Sequence, residues 1–245
     1  MPSCEPVGLP NSINEGRCEG KGYGVRIQHV SRQEVDQAHL YILNNTDDVI
    51  PYISEHVNEI KASHPRMSEK WQLNEHSKTF LPWFKKKIYA TPNVFETLLR
   101  LSRGPNIDVI TYGGYYINNI SFQTKEEDDK SRVQNSGVTL KAESMHFCSS
   151  KDKNPITTPI SYFGVIQEIW EVDYVRFRVP VFKCKWVDIN SGVMIDGSSF
   201  TLVDLKKMNY TDEPFIMASQ ARQIFYVSDP TNKKWSMVLE GKNMH

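Results

Sequence analysis

The hydrophobic pattern is densest from Tyr162 to Leu205, YFGVIQEIWEVDYVRFRVPVFKCKWVDINSGVMIDGSSFTLVDL, where β-branched and aromatic residues are interrupted by Pro and Gly only where a strand can end or bulge. This block reads as consecutive strands carrying the core. Val175, Phe177, Val179 and Val181 alternate with Arg176, Arg178 and Pro180, and the apolar set then moves by one to Phe182, Cys184 and Trp186. A period of two cannot slip by one without turning the side chains over, so a β-bulge near Pro180–Phe182, or a junction of two strands, is expected there.

Upstream the period is helical. Ser31-Arg32-Gln33-Glu34 fits a capping box and predicts a helix to about Leu43. Thr46 or Asp47 caps a second helix with Val49, Ile50, Ile53, Val57 and Ile60 on one face, and the two helices are expected to form an antiparallel pair. An amphipathic region from about Ser68 to Ile88 carries Trp71, Phe80, Trp83 and Phe84, with Pro82 as a kink. Thr91-Pro92 predicts the start of a fourth helix ending at Arg103-Gly104.

From Asp108 the period becomes two. Gly113-Gly114 and Asn118-Asn119 punctuate a hairpin or three-strand meander, Lys125–Arg132 reads as a loop, and Ser136–Ala142 as a further strand. The expected organisation is an irregular tail over 1–30, a helical unit over 31–104, a β hairpin or meander over 105–142, a linker over 143–160 and a C-terminal β domain over 161–241. The fold class is therefore α+β: a small helical unit followed by a mainly antiparallel β domain, expected as a small barrel or sandwich, with an SH3-like barrel as one form of it. A start with scattered Gly and Pro and no pattern suggests a chain cut from something longer.

Composition narrows the function classes. Lys plus Arg and Asp plus Glu are both 29, so any affinity for nucleic acid must come from local patches. No apolar run reaches a membrane span, and the N-terminus lacks the apolar core of a secretory signal, which predicts an intracellular protein with reduced thiols. Cys4, Cys18, Cys148 and Cys184 have no paired spacing and read as isolated thiols.

Candidate chemistry is sparse. There is no GxSxG elbow and no HExxH, and Gly20–Gly24 lacks phosphate-loop spacing. His39, His56 and His76 read as ordinary helix residues, and Glu126–Asp129 as a solvated acidic loop instead of a metal site. No cofactor, metal or small-molecule substrate is indicated. The strongest signal is basic: between Lys78 and Arg103, Lys85, Lys86, Lys87, Arg100 and Arg103 are opposed by Glu96 alone, with Phe80, Trp83, Phe84 and Tyr89 interleaved. That is the composition of a phosphate-contacting surface with stacking groups, against the plainer reading of a helix with an aromatic core face. Arg176, Arg178, Lys183 and Lys185 form a second candidate patch. Tyr162, Trp170, Tyr174 and Trp186 could line an aromatic cage for methylated lysine, although core packing is the simpler account.

The segments YFGVIQEIWEVDY, VPVFKCKWVD, FTLVDL and DEPFIMASQARQIFYVSDP resemble a domain of unknown function near the C-terminus of plant CACTA (En/Spm-type) transposases. QAHLYILNNTDDVIPYISEH, WQLNEHSKTFLPWF, RGPNIDVITYGGYYINNISFQT and VQNSGVTLKAES resemble the end of the neighbouring domain and the segment joining the two. The resemblance implies a non-catalytic part of a transposase-like protein, with the acidic triad upstream of this chain. It also implies nuclear location, and DNA or the proteins of a transposition complex as partners. The alternative is a protein-interaction or chromatin-reader module.

Overall fold

The computed structural model describes residues 20–146, 156–209, 213–230 and 232–241. Helices come first and antiparallel sheets follow, an α+β architecture in which the sheets stay open and close into no barrel.

Two short strands precede the helices, β1 (Lys21–Tyr23) and β2 (Arg26–His29), in the stretch that the sequence pattern leaves irregular. All four residues of β2 are exposed, so no apolar alternation announces it. Helix α1 (Arg32–Asn44) starts as the capping box predicts: the Ser31 hydroxyl accepts from Glu34 N–H, and the Glu34 carboxylate accepts from Ser31 N–H at 3.2 Å. A 3-10 turn (Asp47–Val49) leads into α2 (Ile50–Ser63), which packs chiefly on α3 (Glu69–Ala90), so the helix pair is α2 with α3. Helix α3 runs continuously past Pro82. Helix α4 (Glu96–Arg103) begins four residues later than Thr91-Pro92 suggests. Thr91 is instead the end of α3, its hydroxyl donating to Lys87 C=O at 2.9 Å, and Asn93 turns the chain at φ 56°.

The strands β3 (Asp108–Tyr112), β4 (Gly114–Ile117) and β5 (Ile120–Gln123) do not form one meander. β4 and β5 make a hairpin through Asn118 and Asn119, both at positive φ as a type I′ turn requires, and join β1 in a three-stranded sheet. β3 pairs with β2 and belongs to the main sheet. Residues 125–132, expected as loop, include a short helix α5 (Lys125–Asp128).

The main sheet is organised by β7 (Ile156–Asp173), 18 residues long. One edge of β7 takes β6 (Gly137–His146) along its first half and β3 along its last turns; the other takes β8 (Arg178–Val187). Of the stretch expected as a linker, 143–160, residues 143–146 and 156–160 are the paired ends of β6 and β7, and 147–155 lie outside the described residues. A one-turn helix α6 (Ile189–Gly192) leads to β9 (Val193–Ile195), β10 (Thr201–Val203), β11 (Met208–Asn209), β12 (Phe215–Met217), β13 (Arg222–Ser228) and β14 (Ser236–Glu240). β11 and β12 pair with the free edge of β8, and beyond β6 the sheet continues β13-β14-β10-β9.

The change of phase in β8 has a different origin from a bulge at Pro180–Phe182. β8 is one unbroken strand with both faces buried: Val179 and Val181 face the helices, while Phe182, Cys184 and Trp186 face the small sheet. The irregular register lies on the partner strand, between Ile166 and Glu168. Two cores result. One joins Val35, Ile42, Phe80, Phe84, Ile88, Leu98 and Leu101 of the helices to Trp170, Val172, Val181 and Phe215. The other joins Tyr115, Ile117 and Phe122 to Ile166, Ile169, Phe182 and Trp186. Helices, main sheet and small sheet thus form three layers, and the helical unit shares its core with the β domain.

Candidate nucleic-acid interface

Helix α3 fixes the geometry of the surface. Its Ser68 cap accepts from Trp71 N–H, and Gln72, His76, Phe80, Phe84 and Ile88, spaced four apart, form the buried row. That burial leaves Lys78, Pro82, Lys85, Lys86 and Tyr89 exposed on the opposite side, a stripe about 16 Å long at the helical rise. Lys87 turns away: it bonds Glu55 of α2, which raises its pKa, and its ammonium lies 5.8 Å from the Trp83 ring.

The stripe continues onto α4. Glu96, Arg100 and Arg103 follow one another at i, i+4 and i+7 while Leu98 and Leu101 are buried. Arg103 Nε donates to Tyr89 Oη at 3.3 Å, joining the two helices. At the other end, Arg100 and Arg176 both reach Glu96 Oε1, at 3.5 and 3.3 Å. Arg176 is held there by a tight turn between β7 and β8, where Val175 N–H donates to Asp173 Oδ1 at 2.7 Å and Arg176 N–H to Tyr174 C=O at 2.9 Å. Val175 sits at φ 73°, so this is a γ-turn of the rare, strained kind.

The structure thus links Lys85, Lys86, Arg100, Arg103 and Arg176 in one surface and separates the other candidates from it. Arg178 pairs with Glu171 at 3.7 Å. Lys183 is an internal strut: its ammonium donates to Glu34 of α1 at 2.8 Å and Glu168 of β7 at 2.9 Å, 5.2 Å from the Trp170 ring. Those bonds, Lys183 first and Ser31 second, hold the Glu34 carboxyl down at about 2. Lys185 is exposed further along β8.

The stacking groups also differ from expectation. Phe80 and Phe84 are core residues, and Trp83 is half-buried with its indole N–H donating to Glu59 at 2.8 Å. Of the aromatics read as interleaved, Tyr89 alone is exposed, at 55%. Phe95, which sequence reasoning missed, is 80% exposed at the N-cap of α4, where it makes no capping bond. The one hint lay in the chain itself: a Phe stands where a cap normally carries Ser, Thr, Asp or Asn.

The remaining candidates are structural. Trp170 is fully buried with Tyr174 in the helix-side core and Trp186 lies in the other, so these rings form no methyl-lysine cage. His39 shares a buried 2.8 Å hydrogen bond with Tyr174, and desolvation lowers its pKa to about 3. His56 and His76 join α2 to α3 through their Nδ1 atoms at 2.8 Å; desolvation, then the neighbouring His56, lowers His76 to about 4. The acidic run 126–129 is a helix turn: Lys130 pairs with Glu126 and Glu127, Lys125 with Asp129, and Asp128 accepts from Asn135 and Ser136 N–H groups. A cleft of about 260 Å³ beside it is lined by Asp128, Arg132, Val165, Leu205 and Tyr226, and the Tyr226 hydroxyl is already donated to Gly164 C=O at 2.8 Å. Among the described residues no three His, Cys, Asp or Glu side chains converge to hold a metal, and no helix is long and apolar enough to cross a membrane.

No curated protein and no solved structure matches the chain. Residues 170–238, from the last four residues of β7 into β14, match a domain of unknown function, DUF4216, and the segment includes Arg176 but none of α3 or α4.

Proposed function

We propose that this chain is an accessory, non-catalytic part of a CACTA-type transposase-like protein and that its α3–α4 surface binds nucleic acid. The carrying observation is the run of Lys78, Lys85, Lys86, Arg103, Arg100 and Arg176, in which Glu96 is the one acid of residues 78–103. Lys85 and Lys86 have no ion-pair partner among the described residues, so their charge is available to phosphates. The sequence resemblance supports the transposase setting, and with it a nuclear location and the partners of a transposition complex.

The test is a fluorescence-anisotropy titration of the chain against duplex DNA carrying CACTA-type terminal repeats and against a scrambled control, across salt. Binding should weaken with salt, and K85E/K86E should lower the log–log slope by about 0.9 for each phosphate that the variant no longer neutralises. No binding at low salt by folded protein sinks the proposal.

A further inference from the structure

Phe95 and Val175 flank the two ends of one ion pair. Arg176, next to Val175, meets Glu96, next to Phe95, at 3.3 Å. Both apolar residues are unfavourable where they stand. Phe95 is 80% exposed at a cap position where its side chain can supply no capping hydrogen bond, and Val175 is 67% exposed on a backbone that β-branched residues avoid. Tyr89, at the far end of the short connection into α4, is a third exposed apolar body, its hydroxyl held by Arg103 at 3.3 Å. Two apolar side chains at locally unfavourable positions and the exposed Tyr89 ring, set among Arg100, Arg103 and Arg176, point to contact with a ligand.

The ligand must offer flat π-faces and spaced negative charge together. Duplex DNA offers the charge, but its base faces are covered by stacking along the helix. An unpaired strand offers both, and aromatic rings beside arginines are the general means of holding one. We infer that Phe95 and Tyr89 stack on unpaired bases while Lys85, Lys86, Arg103 and Arg176 contact the backbone, which makes single-stranded nucleic acid the preferred ligand. This rests on the nucleic-acid reading of the same surface.

The experiment compares the full chain and its F95A, Y89A and K85E/K86E variants on a fluorescein-labelled mixed-sequence single strand and on its duplex, across salt. Phe95 and Tyr89 are exposed, so the alanine variants should keep the fold, as circular dichroism would verify. The single strand should bind more tightly, and F95A should weaken it about tenfold while leaving duplex binding and the salt slope unchanged. K85E/K86E should weaken both probes and flatten both slopes. Equal or tighter duplex binding, or single-strand binding indifferent to F95A, overturns the stacking inference; a persisting effect of K85E/K86E would then leave the basic surface standing. Binding of neither probe removes both.

Discussion

Replacing Lys183 by Met tests whether the strut between α1 and the sheet is electrostatic. The Lys183 ammonium bridges Glu34 and Glu168 at 2.8 and 2.9 Å and lies over the Trp170 ring, and Met keeps most of the aliphatic cover on that ring while removing the charge. Glu34 supplies the measure. Its pKa falls from 4.5 to about 2, chiefly through Lys183. In an unscreened site that difference is worth about 3.4 kcal/mol. Glu34 is 36% exposed, so solvent screening reduces its share to about 1–2 kcal/mol. With the bond to Glu168, K183M should lose about 2 kcal/mol at pH 6.5, a fall of roughly 0.7–1 M in urea midpoint.

The pH dependence separates this from a loss of packing. A carboxylate with a depressed folded pKa stabilises the protein above its unfolded pKa, near 4.5, and the stability is lost as pH falls toward about 2. About half of the Glu34 share should be gone by pH 3, so the gap between wild type and K183M should narrow to roughly 1 kcal/mol there. Combining K183M with Glu34→Gln should give a coupling of about 1 kcal/mol or more. Lys185→Met, on an exposed lysine of the same strand, should cost less than about 0.5 kcal/mol. A gap below about 0.5 kcal/mol at pH 6.5, or one unchanged at pH 3, would refute the reasoning.

Two further changes probe other parts of the molecule. The His76 pKa of about 4 lies below its unfolded 6.5, so the unfolded chain binds the extra proton and stability falls by up to about 3 kcal/mol as pH drops from 6.5 toward 4; His76→Leu should make the melting temperature less pH-dependent across that window, with the shares of His39 and His56 remaining, and an unaltered pH profile would contradict the assignment. Val175→Gly removes a side chain from positive φ and should stabilise by about 0.5–1 kcal/mol after the flexibility of glycine is counted; a loss in chemical denaturation would show that the turn is unstrained.

Local chemistry was legible in the sequence wherever a feature is fixed by near neighbours. Ser31 and Glu34 announce α1 because both halves of the capping box lie within one turn, and Asn118-Asn119 announces a turn because few residues tolerate positive φ in succession. What failed needed tertiary knowledge. β2 carries no apolar pattern because none of its side chains is buried; it is held by backbone pairing with β3 and by the exposed His29–Asp108 contact at 2.7 Å. The apolar run in β8 looked like a phase error because period two assumes one buried face, whereas Val181 and Phe182 are neighbours buried on opposite sides. Lysines read alike in sequence. Lys183 is fixed between Glu34 and Glu168, residues 149 and 15 positions away, whereas Lys85 and Lys86 stay open to solvent.

The same three-layer packing decides what the matched segment can be physically. It opens at Trp170, and Trp170, Val172, Val179, Val181 and Phe215 meet Val35, Phe80, Phe84 and Leu101 in one core. Cut at residue 161, the β domain would present that whole face to water, so its boundary in sequence is no boundary in folding. The candidate surface follows the same logic. Arg176 joins Arg100 only because β7 and β8 carry their connecting turn to the start of α4, where Glu96 meets both guanidinium groups. A basic surface assembled from helical residues 78–103 and one strand-turn residue exists only when both parts fold together, which ties any nucleic-acid affinity to the integrity of the shared core.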